Sequence, residues 1–491
     1  MRRFLLAGSL FCLANFSLLA EDANITDSTK LPSGPLTLKD AEALAIANNR
    51  DIGAARLNLT QAREEYLAQI GGWLPSVSGL AYSARTQKDQ GISHFWNASA
   101  LTMTQQLVSV PLYEQVKLAK LSYDTSKYAL AGLINDVLLK VRQSYYQVIL
   151  DLMQIKVQKA HIELFGALVK EQQNRLKLGT SSDYDVKQTQ VALANTLPAY
   201  YTYIQQWRVD QNAFAQLLNV SSDEAQNIVL ADQEIPVLSI PLLVQKIDMV
   251  ASCHRDSLKD PDLSEEIVFQ DCRLNQAFTA PVFSTDELKE WNDIAMQYRP
   301  ALLQAANNID IAQNGVQTAK STYYPTVQAV ANYGSSNLIY TLWSSHAFAQ
   351  TYEWEGHVQL SWNLFNGFTR EHEVRKARAG RQGARLLYEQ QYLATTSDIR
   401  DKLFNIQQSI FAFLSANSSV EISRDSIEDA KNRLNLGVIR ILDYRTVVDD
   451  FSKAATTLNL SRYYLISAYY ELRHAIGIDI NYNEITPSSC Y

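Results

Sequence analysis

The residue types able to do chemistry are thinly spread along this chain, and their spacing argues against most reactions. The seven histidines are His94, His161, His254, His346, His357, His372 and His474. None belongs to an HExxH pattern and none stands at a ligand spacing from a cysteine, so no metal site is expected. GxSxG, Walker and GxGxxG segments are absent. The adjacent carboxylates Glu64 and Glu65, or Asp449 and Asp450, read as exposed helix charge, because neighbouring helical positions do not face one another. Neither an enzyme nor a cofactor is expected. What stands out is acid placed twice after the same turn. "NRLKLG" at 174–179 precedes Asp183 and Asp185, and "NRLNLG" at 432–437 precedes Asp443.

The elements that position these aspartates come in two copies. "NRDI" at 49–52 falls on "RPAL" at 299–302 at an offset of 250, and the same offset lays "WLP" at 73–75 on "YYP" at 323–325. Gly179 falls on Gly437, and Asn219 on Gly477, at an offset of 258. The chain therefore reads as repeats over 36–220 and 285–478, joined by residues 221–284 and followed by a tail at 479–491. Each copy opens with a helix, 38–71 or 286–322, stopped just before Pro75 or Pro325. The apolar period then changes to 2, giving strand pairs at 77–85 and 98–107, and at 327–334 and 355–364. His94, Phe95 and Trp96 fall in one connecting loop; Trp343, His346 and Phe348 fall in the other.

Next come proline-free stretches over 113–178 and 370–436. A helix of about 60 residues spans about 90 Å, far more than an ordinary globular helix. Ile134, Leu138, Val141, Tyr145, Val148, Leu152 and Ile155 step alternately by 4 and 3, a coiled-coil seam. Gly179 and Gly437 then provide left-handed caps. Return helices follow over 182–218 and 442–475, with Ser182 as N-cap and Asp185 and Asp443 in the first turns. The twin segments are the tips of two antiparallel helical hairpins.

Composition sets the remaining bounds. Arg2, Arg3, the apolar run 4–14 and Ala20 read as a secretory signal peptide over 1–20. Leu10 and Phe11 precede Cys12, so a lipid anchor is not expected. Cys253 and Cys272 either bridge in an oxidising compartment or stay free thiols. A net charge of -7 argues against a nucleic-acid partner. No spanning helix follows the signal, but barrel strands carry a weaker pattern. Four strands cannot close a barrel; the smallest single-chain membrane barrels have about eight. A barrel reading therefore requires several chains, and three would supply twelve strands. The competing reading is a soluble or surface coiled-coil scaffold without a pore.

On these features the chain resembles the TolC family of outer membrane efflux proteins. The resemblance rests on the duplicated plan, the "WLP" and "YYP" steps, and the tips "NRLKLGTSSDYDVKQTQVALANT" and "NRLNLGVIRILDYRTVVDDFSKA", and covers nearly the whole chain after the signal. It implies a helical tunnel capped by a homotrimeric twelve-stranded barrel in the outer membrane, with a large periplasmic portion. It also implies a periplasmic adaptor and an inner-membrane transporter as partners, and export of small molecules or proteins without chemistry. Residues 221–284 and the tail would form a collar about mid-tunnel. Around a threefold axis, Asp183, Asp185 and Asp443 become rings whose like charges repel, attract cations and raise carboxylate pKa values. Asp185 also fits as a plain helix N-terminal charge. By resemblance Asp443 matches an aspartate lining the periplasmic constriction. A second family aspartate falls on Thr446, and a family arginine that helps close the channel falls on Ile439, with Arg440 adjacent and Arg445 close.

Overall fold

The computed structural model describes residues 34–87, 93–221, 224, 228–248, 283–335 and 352–480. The expected signal peptide at 1–20, Cys253, Cys272, Trp343, His346, Phe348 and tail residues 481–491 lie outside them.

The first copy begins with α1 (Leu38–Asn48) and α2 (Arg50–Gly71), where the sequence suggested one helix. Asn49 makes the break. Its backbone is extended, and its side-chain oxygen accepts the N–H groups of Asp51 and Ile52 at 2.9 and 3.2 Å. This caps a new helix. Strands β1 (Ser76–Gln87) and β2 (Ser93–Val108) follow. His94, Phe95 and Trp96 are paired along β2 with Thr86, Arg85 and Ala84, so they belong to a strand and not to the expected loop. Then α3 (Val110–Lys177) runs for 68 residues, about 100 Å, and α4 (Asp183–Leu217) returns alongside it. The segment after α4 pairs Leu230 with Leu36 in a short parallel bridge.

The second copy repeats this plan. Helices α5 (Thr285–Tyr298) and α6 (Pro300–Ser321) break at Arg299, because a proline disfavours helical backbone in the residue before it. β3 (Thr326–Ser335) and β4 (Tyr352–Ser361) precede α7 (Thr369–Asn435) and α8 (Ile441–Ile476).

The strands form one antiparallel sheet in the order β1-β2-β3-β4, leaving β1 and β4 as edges. Its register sorts side chains by face. Val77 and Gly79 pair with Met103 and Leu101, which pair with Ala331 and Tyr333, and these with Gly356 and Trp354. The opposite face carries Ser76, Ser78, Thr102, Thr104, Asn332 and Glu355. There Gln106, Gln328 and Gln359 join in a side-chain ladder at 3.3 and 3.0 Å. Leu80 and Val330 interrupt the polar face.

The main core lies at mid-height, where α1, α3, α4, α7 and α8 meet. Val141, Tyr145, Ile149, Ile406, Ile410, Leu465 and Ile476 are fully buried there. A buried aliphatic side chain of this size contributes about 1.5–3 kcal/mol. The seam expected on α3 is buried at Leu138, Val141, Tyr145 and Val148, but Tyr146, Ile149, Leu150 and Met153 are buried too. The cause is packing on several sides, since α1, α2, α4, α6 and α8 all contact α3. Among the described residues, no helix is long and apolar enough to cross a membrane.

Candidate functional site

Both tips are built by the same backbone device. Gly179 and Gly437 have φ of 75° and 72°. At the first tip Gly179 N–H donates to Leu176 C=O and Thr180 N–H to Arg175 C=O, at 3.0 and 2.9 Å. At the second, Gly437 donates to Leu434 at 3.1 Å and Val438 to Arg433 at 2.9 Å. These paired bonds satisfy the last helical carbonyls and reverse the chain.

The aspartates close the other side of each turn. Asp185 Oδ2 accepts from the Ser182 hydroxyl and N–H at 2.7 and 3.3 Å, while Ser182 Oγ accepts the Asp185 N–H at 3.1 Å. This is a reciprocal capping box. Asp443 does half of the same work: its Oδ2 accepts the Arg440 N–H at 3.1 Å. An arginine side chain has no acceptor to return, and the Arg440 guanidinium is largely exposed, 3.8 Å from Asp443. Asp183 pairs with Lys187 at 2.6 Å, and this bond and charge raise the Lys187 pKa. Each of the three carboxylates thus bonds within its own turn.

The tie between the tips comes from within the "NRLKLG" segment itself. Arg175 on α3 donates to Leu434 C=O at 3.4 Å and to Asn435 Oδ1 at 3.0 Å, both on α7, and is held by Glu171 at 2.6 Å. Beneath it Phe165, Leu168, Ala192, Ala430, Leu434, Tyr444 and Val448 form a small separate core. Ile439 packs against that core. Thr446 Oγ1 donates to Leu442 C=O at 3.1 Å. Arg445 Nε is buried with no partner among the described residues.

Pro75 and Pro325 follow helix-end turns closed by Leu74 N–H to Gly71 C=O at 2.9 Å and Tyr324 N–H to Ser321 C=O at 3.1 Å, one residue before β1 and β3. At mid-height lies a charged cluster that no sequence motif marks. Buried Arg142 on α3 bonds Glu42 on α1 at 2.6 Å and also bonds Asp479, beyond α8, which Arg473 grips at 2.9 Å. Burial works against the Asp479 charge, but the hydrogen bond from Arg473 and the charge of Arg142 outweigh it and hold its pKa below the usual range. No local motif announces a contact between residues 337 apart.

The outer membrane efflux protein family model matches residues 43–220 and 291–478, from within α1 to just past α4 and from within α5 to just past α8. The chain belongs to the outer membrane efflux protein family. Members of this family are transport channels and not enzymes. The probable efflux pump outer membrane protein TtgC and the antibiotic efflux pump outer membrane protein ArpC, both of Pseudomonas putida, are 21% identical over 305 residues, 59% of this chain and 52% of theirs. The chain spans about half the length of the curated relatives it matches. Solved structures share the fold over far more of the chain. The Campylobacter jejuni CmeC outer membrane channel aligns with a TM-score of 0.68 at 15% identity, covering 91% of this chain and 88% of that one. The open state of the Neisseria gonorrhoeae MtrE channel aligns at 0.65 and 14%, covering 92% and 94%. The comparisons give no support to a pore-free scaffold.

Proposed function

We propose that this family member is the outer membrane exit duct of a tripartite efflux or type I secretion system, passively conducting cargo received from a periplasmic adaptor and an inner-membrane transporter. The observation that carries this reading is the two-faced sheet. Trp354 is 82% exposed and Val77, Val358 and Leu360 exceed 60%, all on one face, while the other face is mostly polar. An apolar face of that extent needs lipid or a partner. In lipid the open edges β1 and β4 must be paired, and three copies would close twelve strands around the polar face. The relatives' names, efflux pump outer membrane proteins, agree with this role.

In such a trimer, Asp183, Asp185 and Asp443 become rings at the mouth of the tunnel, with Arg440 beside Asp443. Gly179 and Gly437 shape the turns that carry them, and Pro75 and Pro325 mark the passage from tunnel to barrel. The inner-membrane pump selects the cargo. The reading is tested by measuring mass and shape of the detergent-purified particle, by light scattering with particle imaging. A three-chain tube with a narrow barrel and a long body is expected. A monomer that needs no detergent would overturn it.

A further inference from the structure

At the base of the first hairpin, near the end of α4 and midway along α3, two carboxylates face each other. Asp151 on α3 is buried, and Asp210 on α4 meets it across the helix contact. Each is steadied by a glutamine one turn away on its own helix. Gln147 Nε2 donates to Asp151 Oδ1 at 3.2 Å, and Gln206 Nε2 donates to Asp210 Oδ2 at 3.0 Å. Asp151 Oδ2 is left without a donor among the described residues. Ionised carboxylates only accept hydrogen bonds, so two of them stay in contact only when a proton lies between them. From α8 the Tyr463 phenol is within electrostatic reach of both. Its pKa is pushed up to about 12 by burial, then by Tyr464 and Asp210, so it stays neutral through the physiological range. The side chains that bear on Asp151 are Asp210 and Gln147.

We propose that Asp151 and Asp210 form a proton-sharing clamp, holding α4 against α3 while one proton sits between them and loosening the hairpin when that proton leaves. The surroundings set where this happens. Burial first, then the hydrogen bond and charge of Asp210, push Asp151 up to about 8. The closed hairpin therefore binds one more proton than the opened one between the ordinary carboxylate range, about 4, and that value. Closure is firmest at the acid end of this window and weakens as pH rises through it. The two glutamines fix the outer oxygens in either state, so the proton is the variable part of the contact. A mildly alkaline shift would free the hairpin at mid-height without disturbing the tip turns, whose bonds are local.

The test is local hydrogen exchange of the detergent-purified full chain between about pH 6 and about pH 9, corrected for intrinsic exchange, over 147–154 and 206–211. Opening is expected to rise by up to about tenfold per pH unit until about pH 8 and then level off. Asp151→Asn and Asp210→Asn each leave a carboxylate facing an amide donor, and each should abolish this slope. Either variant suffices if the other does not fold. A flat wild-type profile would overturn the clamp, as would a slope that persists in the variants. So would protection restored at about pH 9 by magnesium or calcium in the wild type and not in the variants, which would make the pair a cation site.

Discussion

At Asp443 the oxygen that caps α8 and the charge proposed to line the pore can be separated by one substitution. Asp443→Asn keeps a side-chain carbonyl that can accept the Arg440 N–H, so the stability lost is that of a first-turn charge beside the helix N-terminus, about 0.3–1 kcal/mol. The charge disappears. Bilayer conductance of the variant should show a weaker cation preference; unchanged selectivity would remove Asp443 from the gate. Gly437 offers the converse. Its φ of 72° is imposed by the turn, and a β-branched side chain there costs about 1–2 kcal/mol. Gly437→Val should therefore lower the thermal midpoint and speed exchange around 433–438. Both turns were legible because glycine and a following aspartate recur at a fixed offset. Even Asn219 opposite Gly477 was informative: both adopt positive φ, at 55° and 78°, and asparagine tolerates that conformation better than most residues. The offset could not reveal that Asp185 sits in a full capping box and Asp443 in half of one. That follows from Ser182 and Arg440, where the copies differ.

At the scale of elements, strands and rods were readable because each has a strong period, whereas breaks and cross-links were not. The interruption of α1–α2 at Asn49 and of α5–α6 at Arg299 had visible signals, a capping asparagine and a proline at the first helical position. They were masked by the continuous apolar pattern on either side. The register of α3 against α8 had no such signal. His161 meets Asp449 at 3.0 Å, Gln154 donates to Thr456 C=O at 3.1 Å, Gln143 to Ser467 at 3.0 Å, and Asn135 to His474 C=O at 2.9 Å. The numbers fall on one helix as they rise on the other, a zipper of polar side chains that only the fold aligns. The tip tie at Arg175 belongs to the same class. Arg175→Ala removes charged donors from Leu434 C=O and Asn435, a loss of about 1.5–3 kcal/mol. The expected outcome is faster exchange at both tips and a higher single-channel conductance, because the hairpins lose their mutual tether. Exchange confined to the first hairpin would show that Arg175 serves only its own helix.

Across the whole molecule the long rods are joined end to beginning at mid-height. Glu42 near the start of the described chain and Asp479 near its end converge on Arg142 in the middle of α3, with Arg473 completing the cluster. This closure accounts for how a chain with a modest core at the tips can hold two helices about 100 Å long in register with their shorter return helices. It also gives stability a sign with pH. The Asp479 pKa is depressed in the folded state, so its contribution is full above the ordinary carboxylate pKa of about 3.9 and fades as pH falls through its own lower value. Asp479→Ala removes the carboxylate shared by Arg142 and Arg473, leaving Arg142 its bond to Glu42 and Arg473 its bond to the Tyr469 hydroxyl, and should cost about 1.5–3 kcal/mol at neutral pH. In the variant the acid-side loss of the midpoint should flatten, since the carboxylate that titrates is gone. Guanidinium groups stay charged throughout, so a steep acid limb retained in Asp479→Ala would assign that limb to other carboxylates and leave the cluster a packing feature alone.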